Sequence, residues 1–529
     1  MDSTKFSVNK IADKGLQNLN DYLCKFKPEV ALTMLRRFNS SKYNEEKIKK
    51  LNPPLPSWIF NKAVVPEWFV DYCCQQALIL GSDILGKEMS LDDIKKIASY
   101  IVDIEDLLCV SENDVPALMR RIKNLQFPYQ EPSSTFLGRC YRMLQILELG
   151  TKEYDYKKSF KEETGVEPEP FFGFFTATYG HLAFNYEFDG VLEKWFFSED
   201  LLKKATREEI AQILNFISND RESFKTEFDN LTKRSIRSLS EEVFYKVHNY
   251  VPVVFRKKPF YKLEVGTYIC PCPKLTEMFF SECLIWLLVK KDKDKFSKWF
   301  GDAFETYCRS IAPSSKNEVE VFFETEYMQG IKGPADIIVI IDDSAILFEC
   351  KLRSFSDAAF ITGMEVKNQW AEIEKDKDEI LENIFVHLKR IKSNSTVLTE
   401  KFKNIKKIYP IRVTYEQIYD VNTIYFLKDK PVPSEVSILT ISAREYEMLM
   451  EILEDNHDLF MKTIKTLFNP ESFHIYRDEN GDNHPAAEAF QVIGNEAKMS
   501  YQSIKQYKKL TDFFKSYMAQ AKQAMFVIT

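Results

Sequence analysis

Two apolar runs, Ile337–Ile341 and Ala345–Phe348, stand on either side of the polar triplet Asp342-Asp343-Ser344. Short runs of β-branched and aromatic residues around a brief polar break predict a β-hairpin. Register decides which side chains share a face. With Asp343 and Ser344 as a two-residue turn, 342 pairs with 345 and 341 with 346, so Asp336 falls opposite Lys351. Side chains alternate along a strand, so Glu349 then joins them on one face and Cys350 points the other way. A three-residue loop would turn Asp336 away from Glu349. An even-numbered turn is therefore required for a shared site.

Around this hairpin the pattern alternates between the two periods. Phe300, Phe304, Tyr307, Cys308 and Ile311 recur at helical spacing and predict a helix over 296–311, with Gly301 and Glu305 one turn apart. Glu318–Tyr327 reads as a first strand ahead of the hairpin. Ile380, Ile384, Phe385, Leu388 and Ile391 predict a helix over 379–391, and strands follow at Ile408–Val413 and Val436–Ile441, the latter running into a helix from Ala443. Helix, three strands, helix, strand and a further strand suit a mixed sheet flanked by helices, an α/β class.

The first half of the chain has mostly the helical period. Leu91, Ile94, Ile97, Ala98, Ile101, Ile104, Leu107 and Leu108 form one stripe behind Ser90, with Asp93 at the capping-box position, and Thr206 with Glu209 opens another. Pro116, Pro128 and Pro132 separate helices here. The segment Phe171–Phe197 is strongly aromatic but carries Lys194 as its one basic residue, which favours core packing over a base-stacking platform. These patterns divide the chain into a large all-α N-terminal region (1–255), an α/β region (256–470) and a helical C-terminal tail (471–529).

Composition adds bounds. The 529 residues are 45% hydrophobic and 14% aromatic, enough for large cores and too much for a disordered chain. A net charge of −7 excludes a protein that coats nucleic acid non-specifically, so any such contact must be a local patch. The candidate is Lys389, Arg390, Lys392, Lys401, Lys403, Lys406 and Lys407 against the single acid Glu400. The ten cysteines show no zinc spacing, and free thiols together with the missing signal-peptide pattern suit a cytoplasmic protein without a membrane span. Gly81-Ser-Asp-Ile-Leu-Gly-Lys87 has the spacing of a phosphate loop, but Glu88 stands where Ser or Thr should meet Mg²⁺, which argues against an NTPase. Asp478–Asp482 lacks the distal glutamate of a calcium loop and reads as a turn.

The chemistry concentrates at the hairpin. Asp336, Glu349 and an ammonium, Lys351, on one face can hold a hard divalent cation, which would polarise a phosphoryl oxygen and lower the pKa of a bound water. The plainer alternative is a solvated charged face.

Pro334-Ala335-Asp336, an apolar strand, a turn, a second apolar strand and Glu349-Cys350-Lys351 together resemble the PD-(D/E)xK nuclease superfamily, the restriction-endonuclease-like fold, with one residue inserted between Pro and Asp. The helix with Gly301, Phe304, Glu305 and Tyr307 is similar to that family's opening helix, which makes Glu305 an extra ligand for metal or water. The resemblance implies Mg²⁺ (or Mn²⁺) held by Asp336, Glu349 and the Cys350 backbone carbonyl, with Lys351 orienting water or neutralising phosphate charge. His387, or Gln369 upstream, would match a polar residue of a later family helix. DNA is the implied substrate with RNA left open, and prokaryotic restriction or anti-phage defence the implied setting. A protein partner or trigger for the N-terminal half and self-association remain options. The rival reading is a nuclease-fold scaffold without activity.

Overall fold

A computed structural model describes residues 14–41, 56–60, 65–105, 133–184, 205–236, 253–263, 267–271, 273–315, 319–324, 335–352, 382, 386, 397–415, 438–469, 476–477, 483–484 and 489–527. The elements used below are α1 (Ser133–Leu149), α2 (Pro273–Lys291), α3 (Lys293–Ile311), β1 (Val319–Phe323), β2 (Ile337–Ile341), β3 (Ser344–Lys351), β4 (Lys407–Thr414), β5 (Leu439–Ser442), α4 (Ala443–Asp455), α5 (His457–Leu467) and α6 (Lys505–Val527). The protein is mixed α/β. No described helix is long and apolar enough to cross a membrane.

Strands β1 to β5 form one sheet in sequence order, antiparallel across β1, β2 and β3 and parallel across β3, β4 and β5. The hairpin turn is Asp342-Asp343, because Ile341 pairs with Ser344 and Ile337 with Phe348. It has the even length expected but sits one residue earlier than Asp343-Ser344. Asp342 takes a left-handed φ of 51°, which a short polar side chain tolerates, and this frees Ser344 to start β3. Asp336 consequently lies across from Glu349 and not from Lys351.

Alternation sorts the sheet's residues between two cores. Ile337, Val339, Ile341, Ile346, Phe348, Ile411 and Val413 join the large core with α3 and α4. Ile338, Ile340, Ala345 and Leu347 join a smaller cluster with Phe402 and Ile438 on the opposite face. Phe300 and Phe304 of α3 meet Tyr415 edge-on at 5.3 and 5.9 Å, and Tyr446 of α4 meets Phe348 the same way at 5.2 Å. The large core also takes in residues of α1, α2, α5 and α6, so helices preceding and following the sheet share its interior.

The predicted helix over 296–311 is α3, capped by Asp292, whose carboxylate accepts from the Lys295 backbone N–H at 3.3 Å. Ser442 and Glu445 form a capping box that turns β5 into α4. Of the first strand Glu318–Tyr327, the described part is Val319–Phe323 with Glu324 just beyond it; of the predicted helix 379–391, Glu382 and Val386 are described and helical. Phe171, Phe172, Phe174 and Phe175 are buried, in line with the core reading for that part of the segment, and residues 185–197 lie outside the described residues. Asp478–Asp482 lies outside the described residues. The region 1–255 is not wholly helical: Ser218–Asn219 pairs in parallel with Phe260–Lys262, which pairs with Tyr268–Ile269. Strands of two or three residues carry no readable period, which is why alternation did not reveal them.

The Gly81–Lys87 segment is a tight loop and not a phosphate cradle. It follows helix Glu67–Leu80, and the Lys87 N–H bonds back to the Lys25 carbonyl at 2.8 Å. The predicted pairing of Ser90 with Asp93 is present. The Asp93 carboxylate accepts from the Ser90 N–H (2.8 Å) and Oγ (2.7 Å), Tyr22 OH (2.6 Å) and Lys87 Nζ (2.9 Å). Burial works to raise its pKa, but these donors outweigh burial and hold it well below the usual carboxylate range. A depressed carboxylate stabilises the fold above its unfolded-state pKa of about 4, and that contribution is lost as pH falls through the folded value. Asp93→Asn should therefore cost about 1.5–3 kcal/mol at pH 7. The difference between wild type and variant should narrow as urea midpoints are followed below about pH 4.

Candidate functional site

The site lies at the open end of the hairpin, where the ladder stops after Ile337 and Phe348. There β2 no longer supplies an acceptor to β3, and the Asp336 carboxylate takes over: its Oδ2 accepts from the Cys350 N–H at 2.7 Å. On the other side the Glu324 N–H donates to the Asp336 carbonyl at 3.2 Å, one step beyond the Phe323–Ile337 pair. Both ladders thus converge on Asp336. Glu324, Asp336 and Glu349 form a row across three neighbouring strands.

Glu305 closes the group from α3. Carboxylate oxygens of Glu305, Glu324 and Asp336 all lie within 4.8 Å of one another. Lys351 Nζ pairs with Glu349 Oε1 at 2.6 Å, and Arg309 pairs with Glu305 one helical turn away. Four carboxylates face two cationic side chains. Repulsion of this kind leaves a mark on the acids: burial, then Glu349 and Glu305, push Asp336 well above the ordinary carboxylate range. Burial also raises Glu305; Arg309 opposes it, while Glu324 and Glu349 add to it. Burial works to lower Lys351, yet Glu349 and Asp336 outweigh it, so the amine is held as an ammonium.

All donors here are hard oxygens, and the net charge of the group is negative. Neighbouring ligands of an octahedral Mg²⁺ are roughly 3 Å apart and opposite ones roughly 4 Å, given bonds of about 2.1 Å. Glu305, Glu324 and Asp336 gather within 4.8 Å, somewhat wider than that spread and with Glu349 outside the trio, and their hard oxygens are of the type a hard divalent cation takes. Cys350 contributes its N–H to Asp336, while its thiol lies on the other face against Cys308 of α3. That contact and burial raise the Cys350 thiol's pKa strongly, which makes it an unreactive packing group.

The structure brings together Asp336, Glu349, Lys351 and Glu305, all singled out from the sequence. Glu324 was missed: it fell inside a predicted strand with several glutamates, and only the β1–β2 register selects it. The described lysines of the patch, Lys401, Lys403, Lys406 and Lys407, are not beside this group. Lys407 pairs with Ser344, the first residue of β3, and Lys406 approaches Asp343 in the turn at 3.5 Å, so they sit at the opposite end of the sheet from Glu349. Lys401 and Lys403 pair with Glu320 and Glu400. Because β4 runs parallel to β3, the segment entering β4 returns to the start of β3, which is the physical reason the patch and the carboxylates separate. Lys389, Arg390, Lys392, His387 and Gln369 lie outside the described residues. Comparison of the chain with protein-family models, curated proteins and solved structures found no match.

Proposed function

We propose that the chain is a divalent-cation-dependent nuclease with a restriction-endonuclease-like core that hydrolyses phosphodiester bonds in DNA. The observation that carries this reading is the carboxylate row Glu324–Asp336–Glu349, closed by Glu305 and flanked by Lys351. The resemblance of 334–351 to the PD-(D/E)xK pattern supports it, as does the helix–strand order around that segment. DNA as substrate, and a place in prokaryotic restriction or anti-phage defence, come with that resemblance.

Asp336 and Glu349 would hold Mg²⁺ or Mn²⁺ with the Cys350 carbonyl, and Glu305 and Glu324 would complete the donor set directly or through water. A cation held there would supply a Lewis acid for a phosphoryl oxygen and lower the pKa of water beside it. Asp336 is anchored by the Cys350 N–H, so one of its oxygens keeps a fixed direction. Lys351, already an ammonium, is a hydrogen-bond donor and not a base; its part is to orient water or to offset charge developing on phosphate.

The test is incubation of the protein with supercoiled plasmid, single-stranded DNA and RNA, each with Mg²⁺, Mn²⁺ or EDTA. Cleavage of DNA that EDTA stops, and that Asp336→Ala and Glu349→Ala abolish without changing the circular dichroism spectrum, is expected. Full cleavage by either variant would overturn the assignment. Glu324→Gln should lower metal affinity about 10-fold, in the range seen for supporting partners of a metal site, and titration of cleavage with Mn²⁺ reads that shift.

A further inference from the structure

Behind the catalytic strand lies a second charged group that takes no part in the site. Glu447 of α4 is fully buried, and both its oxygens are shared among three distant parts of the chain. Oε1 accepts from Arg142 Nε and from Tyr307 OH (2.6 Å). Oε2 accepts from Arg142 Nη2 (3.0 Å) and Tyr501 OH (2.7 Å). Arg142 Nη2 also donates to Tyr501 OH at 2.7 Å, and Gln506 Nε2 donates to Tyr307 OH at 3.1 Å. Arg142 comes from α1, before the sheet; Tyr501 and Gln506 come from the segment that follows it.

Tyr307 stands two residues beyond Glu305 on α3. At about 100° per residue the two side chains leave nearly opposite sides of the helix, one toward Glu447 and one toward Asp336 and Glu324. The neighbouring Tyr446 adds a second tie, donating its OH to the Cys308 carbonyl of α3 at 3.2 Å while its ring packs on Phe348, next to Glu349. The rotation of α3 about its axis is therefore set from α4.

We infer that Tyr307, held by the Arg142–Glu447 ion pair, is a positioning residue for Glu305, so that α1 and α4, through this pair, set the metal affinity of the carboxylate group. This rests on the proposed metal site. A rotation of α3 by a few degrees swings the Glu305 carboxylate away from Asp336 and Glu324, whereas the ring of Tyr307 can stay in place without its hydroxyl.

The test is Mn²⁺ binding by electron paramagnetic resonance, read without any cleavage, on wild type, Tyr307→Phe, Glu305→Gln and the double variant. Tyr307→Phe should weaken Mn²⁺ roughly 2- to 30-fold, the span of couplings carried through a packed network. In the Glu305→Gln background the same change should have no further effect, because the residue through which it acts is already gone. Independent, additive losses, or equal affinity in wild type and Tyr307→Phe, would overturn the positioning role while leaving the metal site standing. No Mn²⁺ binding by wild type would overturn the metal site itself, and the positioning role with it.

Discussion

Lys351→Ala is expected to lower divalent-dependent cleavage by about 10²–10³-fold while Mn²⁺ affinity stays the same or tightens. The sign on affinity follows from the geometry. Lys351 Nζ sits 2.6 Å from Glu349 Oε1 and competes with a cation for that oxygen. Removing it frees a ligand, so binding should not suffer, whereas turnover loses the donor that orients water or meets charge on the phosphate. Lys351→Arg keeps the charge but spreads it over a planar fork of different reach, and should recover little. Single-turnover cleavage at saturating Mn²⁺, alongside a binding titration, separates the two effects. A variant with normal turnover and weakened metal binding would make Lys351 part of the binding shell and remove it from the chemistry.

The second large effect is on stability. Arg142→Ala should cost about 3–5 kcal/mol, because it leaves the fully buried Glu447 without its counter-charge. Burial alone would disfavour a charged guanidinium here, but Glu447, followed by Tyr501, more than compensates and holds Arg142 in its charged form. Replacing both partners by apolar residues often rescues a buried pair. Here it should not, since the hydroxyls of Tyr307 and Tyr501 would lose their acceptor as well. Disrupting the exposed Lys403–Glu400 pair should cost well under about 1 kcal/mol. Urea unfolding midpoints for the variants check the ranking, and an Arg142→Ala midpoint matching that of a Lys403 variant would refute it.

The hairpin was readable because its strands are short runs of isoleucine, valine, leucine and phenylalanine, and because a period of two leaves few registers that bury them. The register was one step off. Ser344 resembles a turn residue, and only the left-handed Asp342 shows that the turn closes before it. Helical spacing predicted the helix of Glu305, and the resemblance of residues 301–307 to a family helix singled the residue out. Glu324 could not be found from sequence, since residues 325–334 stand between its strand and β2, and sequence does not say how such a connection sets the register. The described lysines Lys406 and Lys407 lie apart from the carboxylates for a topological reason: residues that follow a strand in sequence need not lie near its far end when the next strand is parallel. The Arg142–Glu447–Tyr501 group left no local signal at all. Arg142 stands 305 residues before Glu447 and 359 before Tyr501, and each lies in an unremarkable helix or turn.

That separation has a consequence for biosynthesis. Arg142 and Tyr501 are 359 positions apart, so at 5–20 residues per second the ribosome needs on the order of 20–70 s to deliver the second after the first. Until α4 is made, α3 lacks the Glu447 and Tyr446 contacts that orient it, and until Tyr501 follows, the Arg142 guanidinium lacks its full set of partners. On the reading offered above, the segment around Tyr501, made after all the carboxylates, completes the support of the Glu305 helix, so a nascent chain that stops before it would carry the carboxylates without the whole framework that aligns them.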